Sequence, residues 1–321
     1  MDKVLVTGGS GFIGSYFVRM LLRETEAEVV NLDLLTYAGN PANLKEVEGN
    51  KKYSFIKGDI ADRKTVEKAL KGVDTVFSFA AESHVDNSIK DSNAFVHTNV
   101  LGTKNMVECS MNAGVERFLQ VSTDEVYGSV EKGSSRETDM LQPRNPYSAC
   151  KAASDLIALS FHTTFGFNVV VTRSSNNYGP FQHPEKAIPL FTTNLIEGKK
   201  VPLYGDGKNV RDWLHVEDNC KGILLAGIKG KSGEIYNIGS GNELQNIELT
   251  KKILELMGEG GEMIERVEDR KGHDRRYSLD SSKIKSLGWK EEKPFEQGLK
   301  ETVEWYKKNE AWWKPLKGKN K

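Results

Sequence analysis

Residues 7–14, TGGSGFIG, follow a short apolar run and open an amphipathic stretch, and this order constrains the fold more than any other feature of the chain. Glycines at Gly8, Gly11 and Gly14 allow a tight turn, a close approach of the backbone to a pyrophosphate, and close packing of a helix on a strand. The first turn of that helix adds amide donors and a positive dipole end. Glycine triplets also occur in purely structural turns, so the loop predicts a dinucleotide-binding βαβ unit only in combination with residues further along the chain.

The second strand-like run ends in an acidic residue that favours one dinucleotide over another. Asp33 lies nineteen residues after Gly14, where a carboxylate can bind the ribose hydroxyls and would repel a 2′-phosphate. Leu34 and Leu35 follow, and neither offers the guanidinium that such a phosphate needs. The sequence therefore predicts NAD rather than NADP. Asp59-Ile60 ends the third run, where it could meet the adenine, although an ordinary loop Asp fits the local sequence equally well.

Strand-like and helical stretches alternate through the first half of the chain. The β-rich runs are Lys3–Thr7, Glu28–Asp33, Tyr53–Gly58, Thr75–Ala81, Arg117–Ser122 and Asn168–Arg173, and the amphipathic segments between them include Ile13–Arg23, Arg63–Lys71 and Asn93–Ala113. This alternation predicts an α/β fold, a doubly wound parallel Rossmann sheet. We expect residues 1–175 to form the NAD-binding domain with the catalytic residues. Residues 176–321 should form mainly a smaller α/β substrate-binding lobe, partly interleaved with the sheet, ending in a frayed basic stretch at 314–321.

Composition excludes several classes of protein. The 321 residues include 45 basic and 45 acidic ones, so no net charge draws the chain to nucleic acid or to an anionic membrane. No apolar run reaches the ~18 residues that span a bilayer, and the start of the chain resembles no signal peptide. The cysteines Cys109, Cys150 and Cys220 are odd in number and lack metal-ligand spacing. We therefore expect free thiols, no metal site and a cytoplasmic protein.

A tyrosine and a lysine lie four residues apart, on one face of a predicted helix. Asn145-Pro146 predicts an N-cap followed by Pro at the first helical position, which places Tyr147 and Lys151 in the first turns of a helix that runs to about Phe165. Lys151 can hydrogen-bond the nicotinamide ribose. The ammonium, the helix dipole and cationic NAD should together lower the phenol pKa from about 10 towards neutrality. Tyr147 is thus the candidate base, unless the two residues are only an exposed pair of a kind common on helices.

Two adjacent carboxylates follow the fifth strand-like run. Thr123, Asp124 and Glu125 lie at its carboxyl end, outside which ligands of doubly wound sheets bind. Neighbouring carboxyl groups in a partly closed cleft separate in pKa, so that one keeps its proton and the other acts as a base. Such a pair suits the elimination of water, in which one group removes a C–H proton and the other protonates the departing hydroxyl. A solvated turn is the alternative.

The motifs together resemble a known family. The strings AAESHVDNS, STDEVYG, YSACKAASD, RSSNNYGPFQHPEKAIP, VRDWLHVED and DRKGHDRRY join the glycine loop in an order typical of extended short-chain dehydrogenase/reductases, the NAD-dependent epimerase/dehydratase family. The likeness runs from residue 3 to about 290. Its Thr-Asp-Glu string is similar to that of the nucleotide-sugar 4,6-dehydratases, whereas related epimerases usually carry small residues in place of Asp124 and Glu125.

The resemblance implies a role for each matching residue. Phe12, Ile13, Asp33, Asp59, Ala80, Ala81, Thr98, Tyr147, Lys151 and Asn177 would contact NAD. Ser83, Glu125 and Asn176 would approach the glucose. The diphosphate and nucleoside would meet Lys186, Pro202, Tyr204, Arg211, Asn246, Arg270, His273 and Tyr277. Arginine and lysine suit diphosphate oxygens, although surface salt bridges would explain these residues equally well one by one.

The implied activity is that of a redox-neutral lyase acting on a nucleoside-diphosphate glucose, with dTDP-glucose as the expected substrate. It comprises oxidation at C4, elimination of water across C5 and C6, and return of the hydride to C6. Long helices at about 90–113 and 146–165 imply a homodimer through a four-helix bundle. The alternatives are a dehydratase of another nucleoside-diphosphate glucose, a nucleotide-sugar 4-epimerase, and a catalytically silent NAD-binding regulator, which should have lost Tyr147 or Lys151.

Five positions depart from the family pattern. The chain has Asn87 in place of an arginine, Cys150 in place of a serine, Ala187 in place of a leucine, His215 in place of a tyrosine and Lys271 in place of a proline. We expect none of them to touch the catalytic residues, and those near Arg211 and Arg270 leave the nucleotide base open.

Overall fold

The computed structural model describes residues 1–317, and its central element is a seven-stranded parallel sheet. In chain order the strands of the protein are β1 (Lys3–Thr7), β2 (Glu28–Asp33), β3 (Tyr53–Lys57), β4 (Thr75–Ser78), β5 (Arg117–Thr123), β6 (Val169–Ser174), β7 (Asn176–Tyr178), β8 (Val201–Tyr204), β9 (Val210–His215), β10 (Ile235–Ile238), β11 (Glu243–Gln245) and β12 (Ile264–Val267). The large sheet has the order β10-β6-β5-β4-β1-β2-β3. The order of the strands reverses between β1 and β4, which is where doubly wound sheets form their ligand cleft.

Helices cover both faces of this sheet. They are α1 (Phe12–Glu24), α2 (Arg63–Ala69), α3 (Val85–Lys90), α4 (Asn93–Phe95), α5 (Thr103–Asn112), α6 (Pro146–Phe165), α7 (Ala187–Ile196), α8 (Val216–Lys229), α9 (Asn246–Met257), α10 (Ser282–Ser286), α11 (Phe295–Lys308) and α12 (Glu310–Trp313). A π-helical segment, Val96–Gly102, joins α4 to α5, and 3-10 turns cover Pro41–Val47, Asp124–Tyr127, Gly261–Met263 and Lys314–Leu316. Among the described residues, no helix is both long and apolar enough to cross a membrane.

The alternation of side chains along β1 shows why both faces need helices. Val4 and Val6 point into one apolar core with Phe17 of α1, whereas Leu5 points into the opposite core with Met106 of α5. A strand buried on both faces reads as a continuous apolar run, as in a parallel sheet covered on each side. The fold class predicted from the sequence is therefore confirmed, and the six predicted strands lie within a few residues of β1 to β6.

The second half of the chain builds a smaller lobe and also returns to the large sheet. The lobe contains a three-stranded sheet, β11-β9-β7, and a two-stranded sheet, β12-β8, packed with α7, α9 and α11 around a third core. The helix α8 packs on α1, and β10 pairs with β6 at the edge of the large sheet. The sequence did not predict β10. This return is the interleaving we expected, and the division of the chain at residues 175 and 176 stays a prediction.

The basic stretch at the end of the described residues is not frayed, contrary to expectation. Lys314–Leu316 form a 3-10 turn, Leu316 is buried, and the Lys317 ammonium donates to the side chains of Asn194 and Glu197. The aromatic residues just before this stretch hold it in place, a contact that local composition does not reveal. Residues 318–321 lie outside the described part of the chain.

Candidate active site

The glycine loop between β1 and α1 forms a cradle. Gly8 has φ +68°, and a Cβ there would come 2.7 Å from the backbone N of Ala80. A Cβ at Gly14 would lie 2.2 Å from the carbonyl oxygen of Gly8. At Gly11 a Cβ would meet only that carbonyl, at 3.3 Å, and the helix that follows has no side-chain cap. The start of α1, whose first amides have no side-chain cap, lines an open cavity, which fits the pyrophosphate of a dinucleotide.

Asp33, the last residue of β2, lies next to the glycine loop. Its carboxylate accepts hydrogen bonds from the backbone N–H groups of Ser10, at 2.9 Å, and Leu35, at 2.7 Å. Burial raises the pKa of Asp33, and these two donors offset part of the rise. The cavity's lysines, Lys151 and Lys186, contact Val121 and Ser83 at its other end. The surroundings of Asp33 therefore fit ribose hydroxyls and not a 2′-phosphate.

One cavity collects the predicted cofactor and catalytic residues, which the sequence places on separate segments. It is lined by Gly8, Gly11, Phe12, Ile13, Gly14, Asp33, Asp59, Ile60, Ala80, Ala81, Thr98, Thr123, Asp124, Glu125, Tyr147, Lys151 and Asn177, together with the predicted substrate residues Ser83, Asn176 and Lys186. Asp59 is fixed by the N–H of Ala61 and by His97. The residues fit NAD, and the contacts of each with NAD remain predictions.

The two carboxylates are positioned by the end of β5. The hydroxyl of Thr123 caps the turn that follows it, accepting from the N–H of Glu125 at 3.2 Å and donating to Asp124 at 3.1 Å. Asp124 is almost fully buried, and its second oxygen has no hydrogen-bond partner among the described residues. The Glu125 carboxylate lies 3.5 Å from the side-chain amide of Asn145.

The predicted separation of the two carboxyl groups is present. Burial and then the charge of Glu125 raise the pKa of Asp124 well above its usual range. Burial also raises the pKa of Glu125, but the cations Arg270, Arg211 and Lys186 oppose that rise. Asp124 is therefore the member of the pair that holds a proton, and Glu125 is the member that ionises more readily.

The start of α6 brings the tyrosine to this pair. Asn145 caps the helix with a reciprocal bond to Ser148, as predicted, and the N–H of Tyr147 donates to the hydroxyl of Ser88 at 3.2 Å. The Lys151 ammonium donates to the carbonyl of Val121 at 2.7 Å. Phenol, ammonium and carboxylates thus meet at the carboxyl end of β5.

The expected lowering of the Tyr147 pKa by the ammonium, the helix dipole and NAD together stays a prediction. The protein's own groups do not lower the pKa of Tyr147: burial, followed by Glu125 and Asp124, raises it well above its usual range, against the opposing hydrogen bond with Thr123. Burial lowers the pKa of Lys151 to about 8, against the opposing charge of Asp155. The spacing of Tyr147 and Lys151 along the helix predicted where the phenol lies. It could not predict the burial that raises the pKa of the phenol.

The remaining predicted substrate residues lie outside the cavity lining, in the smaller lobe: Pro202, Tyr204, Arg211, Asn246, Arg270, His273 and Tyr277. Arg211 is buried with its guanidinium carbon 4.2 Å from the centre of the Tyr277 ring, and Tyr204 packs edge-on against His273. Arg211 and Arg270 are close enough to lower the pKa of Glu125. Asn246 is linked to this group through Asn209: the N–H of Asn246 donates to the carbonyl of Asn209, and the side chains of Asn209 and Arg211 both donate to the carbonyl of Asp274. Pro202 lies on β8, two residues before Tyr204.

Sequence reasoning missed several residues that line the same cavity. Glu185 accepts from the hydroxyl of Tyr37 at 3.0 Å and lies 3.6 Å from His84. Trp312 and Leu316 form another part of the wall. The PEK string of the family motif contains Glu185 and could have indicated it. No local pattern indicated Trp312.

Of the five departures from the family pattern, Cys150 lies beside a predicted catalytic residue. Cys150 is buried in an apolar cluster with Tyr147, Phe95 and Val85. The expectation that none of the five would approach the catalytic residues was therefore wrong at Cys150, because one helical turn brings it next to the tyrosine.

The chain is similar to known proteins over nearly its full length. Residues 5–302 match the family model described as GDP-mannose 4,6 dehydratase. A dTDP-glucose 4,6-dehydratase of Streptomyces niveus is 50% identical over 98% of this chain and 96% of its own length. The crystal structure of DesIV, a dTDP-glucose 4,6-dehydratase from Streptomyces venezuelae, contains NAD and matches with a TM-score of 0.97 and 52% identity, covering 98% of this chain and 99% of that one.

A related enzyme with different chemistry is a more distant match. A UDP-glucose 4-epimerase from Thermotoga maritima has a TM-score of 0.89 at 33% identity, over 95% of this chain and 99% of its own. The fold is therefore shared between dehydratases and epimerases, and identity of about one half favours the former. The chain belongs to the dTDP-glucose 4,6-dehydratases, within the extended short-chain dehydrogenase/reductases.

Proposed function

We propose that this protein is an NAD-dependent lyase that converts dTDP-glucose to dTDP-4-keto-6-deoxyglucose. One observation carries the proposal: Asp124 and Glu125 lie side by side next to Tyr147 at the end of the NAD cavity, in surroundings that give them different proton affinities. An acid and a base from one dipeptide are what an elimination needs. The dehydratases at about 50% identity support the same reaction.

In the first step Tyr147 removes the proton of the sugar 4-hydroxyl, with Thr123 in the same hydrogen-bond network. When bound, NAD supplies an acceptor for the C4 hydride and, once reduced, the donor that returns it to C6. Lys151 holds its ammonium beside the cavity through the carbonyl of Val121. Because the protein's own carboxylates raise the pKa of Tyr147, the phenol needs added positive charge to ionise, and the oxidised nicotinamide ring carries such a charge.

In the second step the two carboxyl groups act in turn. The ketone at C4 acidifies the C5 hydrogen, which Glu125 removes as a proton, while Asp124 gives its proton to the 6-hydroxyl and water leaves. Glu125 then returns a proton to C5 as C6 receives the hydride, and the proton that Tyr147 took from the 4-hydroxyl replaces the one that Asp124 gave up. The assignment follows the proton affinities, since the protonated Asp124 is the acid and the more readily ionised Glu125 the base.

The substrate's nucleotide belongs to the smaller lobe in this proposal. Arg211 and Arg270 would meet the diphosphate, and Tyr277 and His273 lie beside them. Burial and the charge of Arg270 lower the pKa of His273 to about 4, so His273 is neutral at pH 7. A neutral imidazole adds no charge next to these arginines.

We further infer that the protein is a homodimer. The segment Val96–Gly102 packs on α6, and their outer faces expose apolar side chains, with Leu101 55% and Leu156 60% accessible. A second copy placed by a two-fold axis would bury both faces in a bundle of four helices.

Three unpaired cysteines, all buried, support a reducing location such as the cytoplasm.

Incubation with dTDP-glucose, UDP-glucose and GDP-glucose in parallel, followed by mass spectrometry, tests the proposal. Loss of one water from dTDP-glucose without added NAD is the expected result. Loss of water from another nucleotide sugar alone would make the protein a dehydratase of that substrate. A product of unchanged mass that NMR shows to be inverted at C4 would identify an epimerase. No reaction with any sugar by NAD-loaded protein would favour a silent NAD-binding protein.

A further inference from the structure

Residues 310–317, which we call the clasp segment, form a wall of the NAD cavity. The clasp segment consists of α12 and the turn that follows it, and its side chains Trp312 and Leu316 line the cavity together with Gly11 and Phe12 of the glycine loop. The oxidation, elimination and reduction steps do not use these two residues.

A chain of hydrogen bonds connects the clasp segment to the glycine loop. The indole N–H of Trp312 donates to the side-chain oxygen of Asn43 at 2.9 Å. Asn43 is only 3% exposed, and its amide donates to the carbonyl of Ser10 at 3.0 Å. Ser10 in turn donates its backbone N–H to Asp33. One buried side chain therefore links Trp312 to the loop that would cradle the pyrophosphate.

Aromatic packing holds Trp312 from the side. Its ring meets those of Trp305 and Phe181 edge-on, at 5.1 Å and 5.7 Å between centroids. Phe181 also lines the cavity, and it has φ +67°, a conformation that residues with a Cβ keep only where their surroundings fix it. The guanidinium of Arg19, on α1, lies 4.6 Å from the centre of the Phe181 ring. The cluster thus joins α1, the smaller lobe and the clasp segment.

The clasp segment is anchored on both sides of Trp312. Trp313 is fully buried and donates to the carbonyl of Tyr306 on α11 at 2.8 Å. The Lys317 ammonium donates to Asn194 at 2.8 Å and to Glu197 at 2.9 Å. These contacts fix the segment to the smaller lobe, while Trp312 reaches across to the cofactor loop.

We propose that the clasp segment retains NAD, with Trp312 as a positioning residue that braces the glycine loop through Asn43 and closes one wall of the cavity. This inference rests on the proposed function, because it assumes that NAD occupies the cavity. A redox-neutral cycle returns the hydride to the same sugar that lost it, so the cofactor has to stay bound between the two half-reactions. Bracing of the loop slows NAD release, and closure of the wall removes an exit.

Release of NAD from the loaded full-length protein, followed in excess of an NAD-hydrolysing enzyme and without any sugar, measures this directly. Trp312→Phe keeps an aromatic ring but loses the N–H donor, so release should accelerate about two- to tenfold. Trp312→Ala also opens the wall, and release should accelerate by about tenfold or more. The matched control is Lys308→Ala, an exposed side chain on α11 outside the clasp segment, and its release rate should equal that of the wild type.

Turnover gives the second readout. Saturating NAD should restore the kcat of Trp312→Ala to the wild-type value, whereas a general structural defect would not respond to NAD. If Trp312→Ala does not fold, Trp312→Phe and Leu316→Ala decide the question. Wild-type release rates in these two variants, or a loss of turnover that NAD does not restore, would overturn the clasp alone. A wild-type protein without affinity for NAD would instead overturn the proposed function, and the clasp with it.

Discussion

The cofactor cleft and the substrate lobe are built in opposite ways. The residues of the cleft lie at the ends of strands of the large sheet. Short strings such as TGGSGFIG and STDEV therefore contain both the residues that shape the turn and the residues that line the cavity. The substrate lobe assembles Arg211, Arg270 and Tyr277 from a strand and a loop of the smaller lobe, around the carboxylate of Glu125. In the proposed function a sheet edge fixes the reacting groups, whereas separate segments of the smaller lobe would select the substrate.

This difference predicts how substitutions in each region should affect activity. A change in the cleft should stop a chemical step while the substrate still binds. A change in the lobe should weaken substrate binding while the chemistry continues once the site is filled. Loss of a reacting group should therefore have the largest effect on activity, and loss of a substrate contact a smaller one. Loss of a buried carboxyl group should have the smallest effect, on stability.

Tyr147→Phe should lower turnover by about 10²- to 10⁴-fold, because the base for the 4-hydroxyl is lost. NAD content and thermal unfolding should stay close to those of the wild type, since one hydroxyl is removed. Tyr236→Phe is the matched control: it removes a similarly buried hydroxyl that accepts from the N–H of Lys231. Wild-type turnover by Tyr147→Phe would show that the phenol has only a structural role. The contrast between a cleft that supplies the reacting groups and a lobe that binds the substrate would then fail.

Arg270→Met should raise the KM for dTDP-glucose by about 10- to 100-fold, the usual effect of losing hydrogen bonds to a charged group. The kcat at optimal pH should change far less. Because Arg270 lowers the pKa of Glu125, its removal should also move the acid limb of the pH profile to higher pH. Arg266→Met, at an exposed position of β12, is the control. A fall in kcat with unchanged KM would place Arg270 in the chemistry and not in binding.

The buried carboxylates predict a smaller effect, on stability. The pKa of Asp124 is raised on folding, so its contribution to stability is present at acid pH and is lost as the pH rises through the folded pKa. Asp124→Asn should therefore raise the melting temperature by a few degrees at neutral pH, and the gain should vanish in acid.

Asp155→Asn provides the control for this prediction. It removes a carboxylate that is equally buried but bonded to Arg173 at 2.9 Å, and it should lower the melting temperature because Arg173 loses its partner. A loss of stability in both variants at neutral pH would show that the surroundings of Asp124 stabilise its ionised carboxylate, contrary to its assignment as the member of the pair that holds a proton.

The sequence predicted the parallel sheet and the members of the cleft because both depend on local patterns. Apolar runs, glycines at Gly8 and Gly14, and the cap at Asn145 each act within a few residues of where they stand. The strand β10 was missed because its run of four residues is too short to show a clear period, although Ile and Tyr favour strands. The raised pKa of Tyr147 and the wall formed by Trp312 depend on contacts between distant segments, which no local string records.

The most direct test of the account is the fate of NAD and of the C5 proton in Asp124→Asn and Glu125→Gln. Both variants should still oxidise the sugar at C4, so that NADH absorbance builds up on the enzyme after mixing with dTDP-glucose, while water loss falls about 10²- to 10⁴-fold. In D2O the wild-type product should carry deuterium at C5. Asp124→Asn should keep slow C5 exchange and Glu125→Gln should lose it. Wild-type dehydration by both variants, or a wild-type product that is a C4 epimer with its 6-hydroxyl intact, would contradict the account.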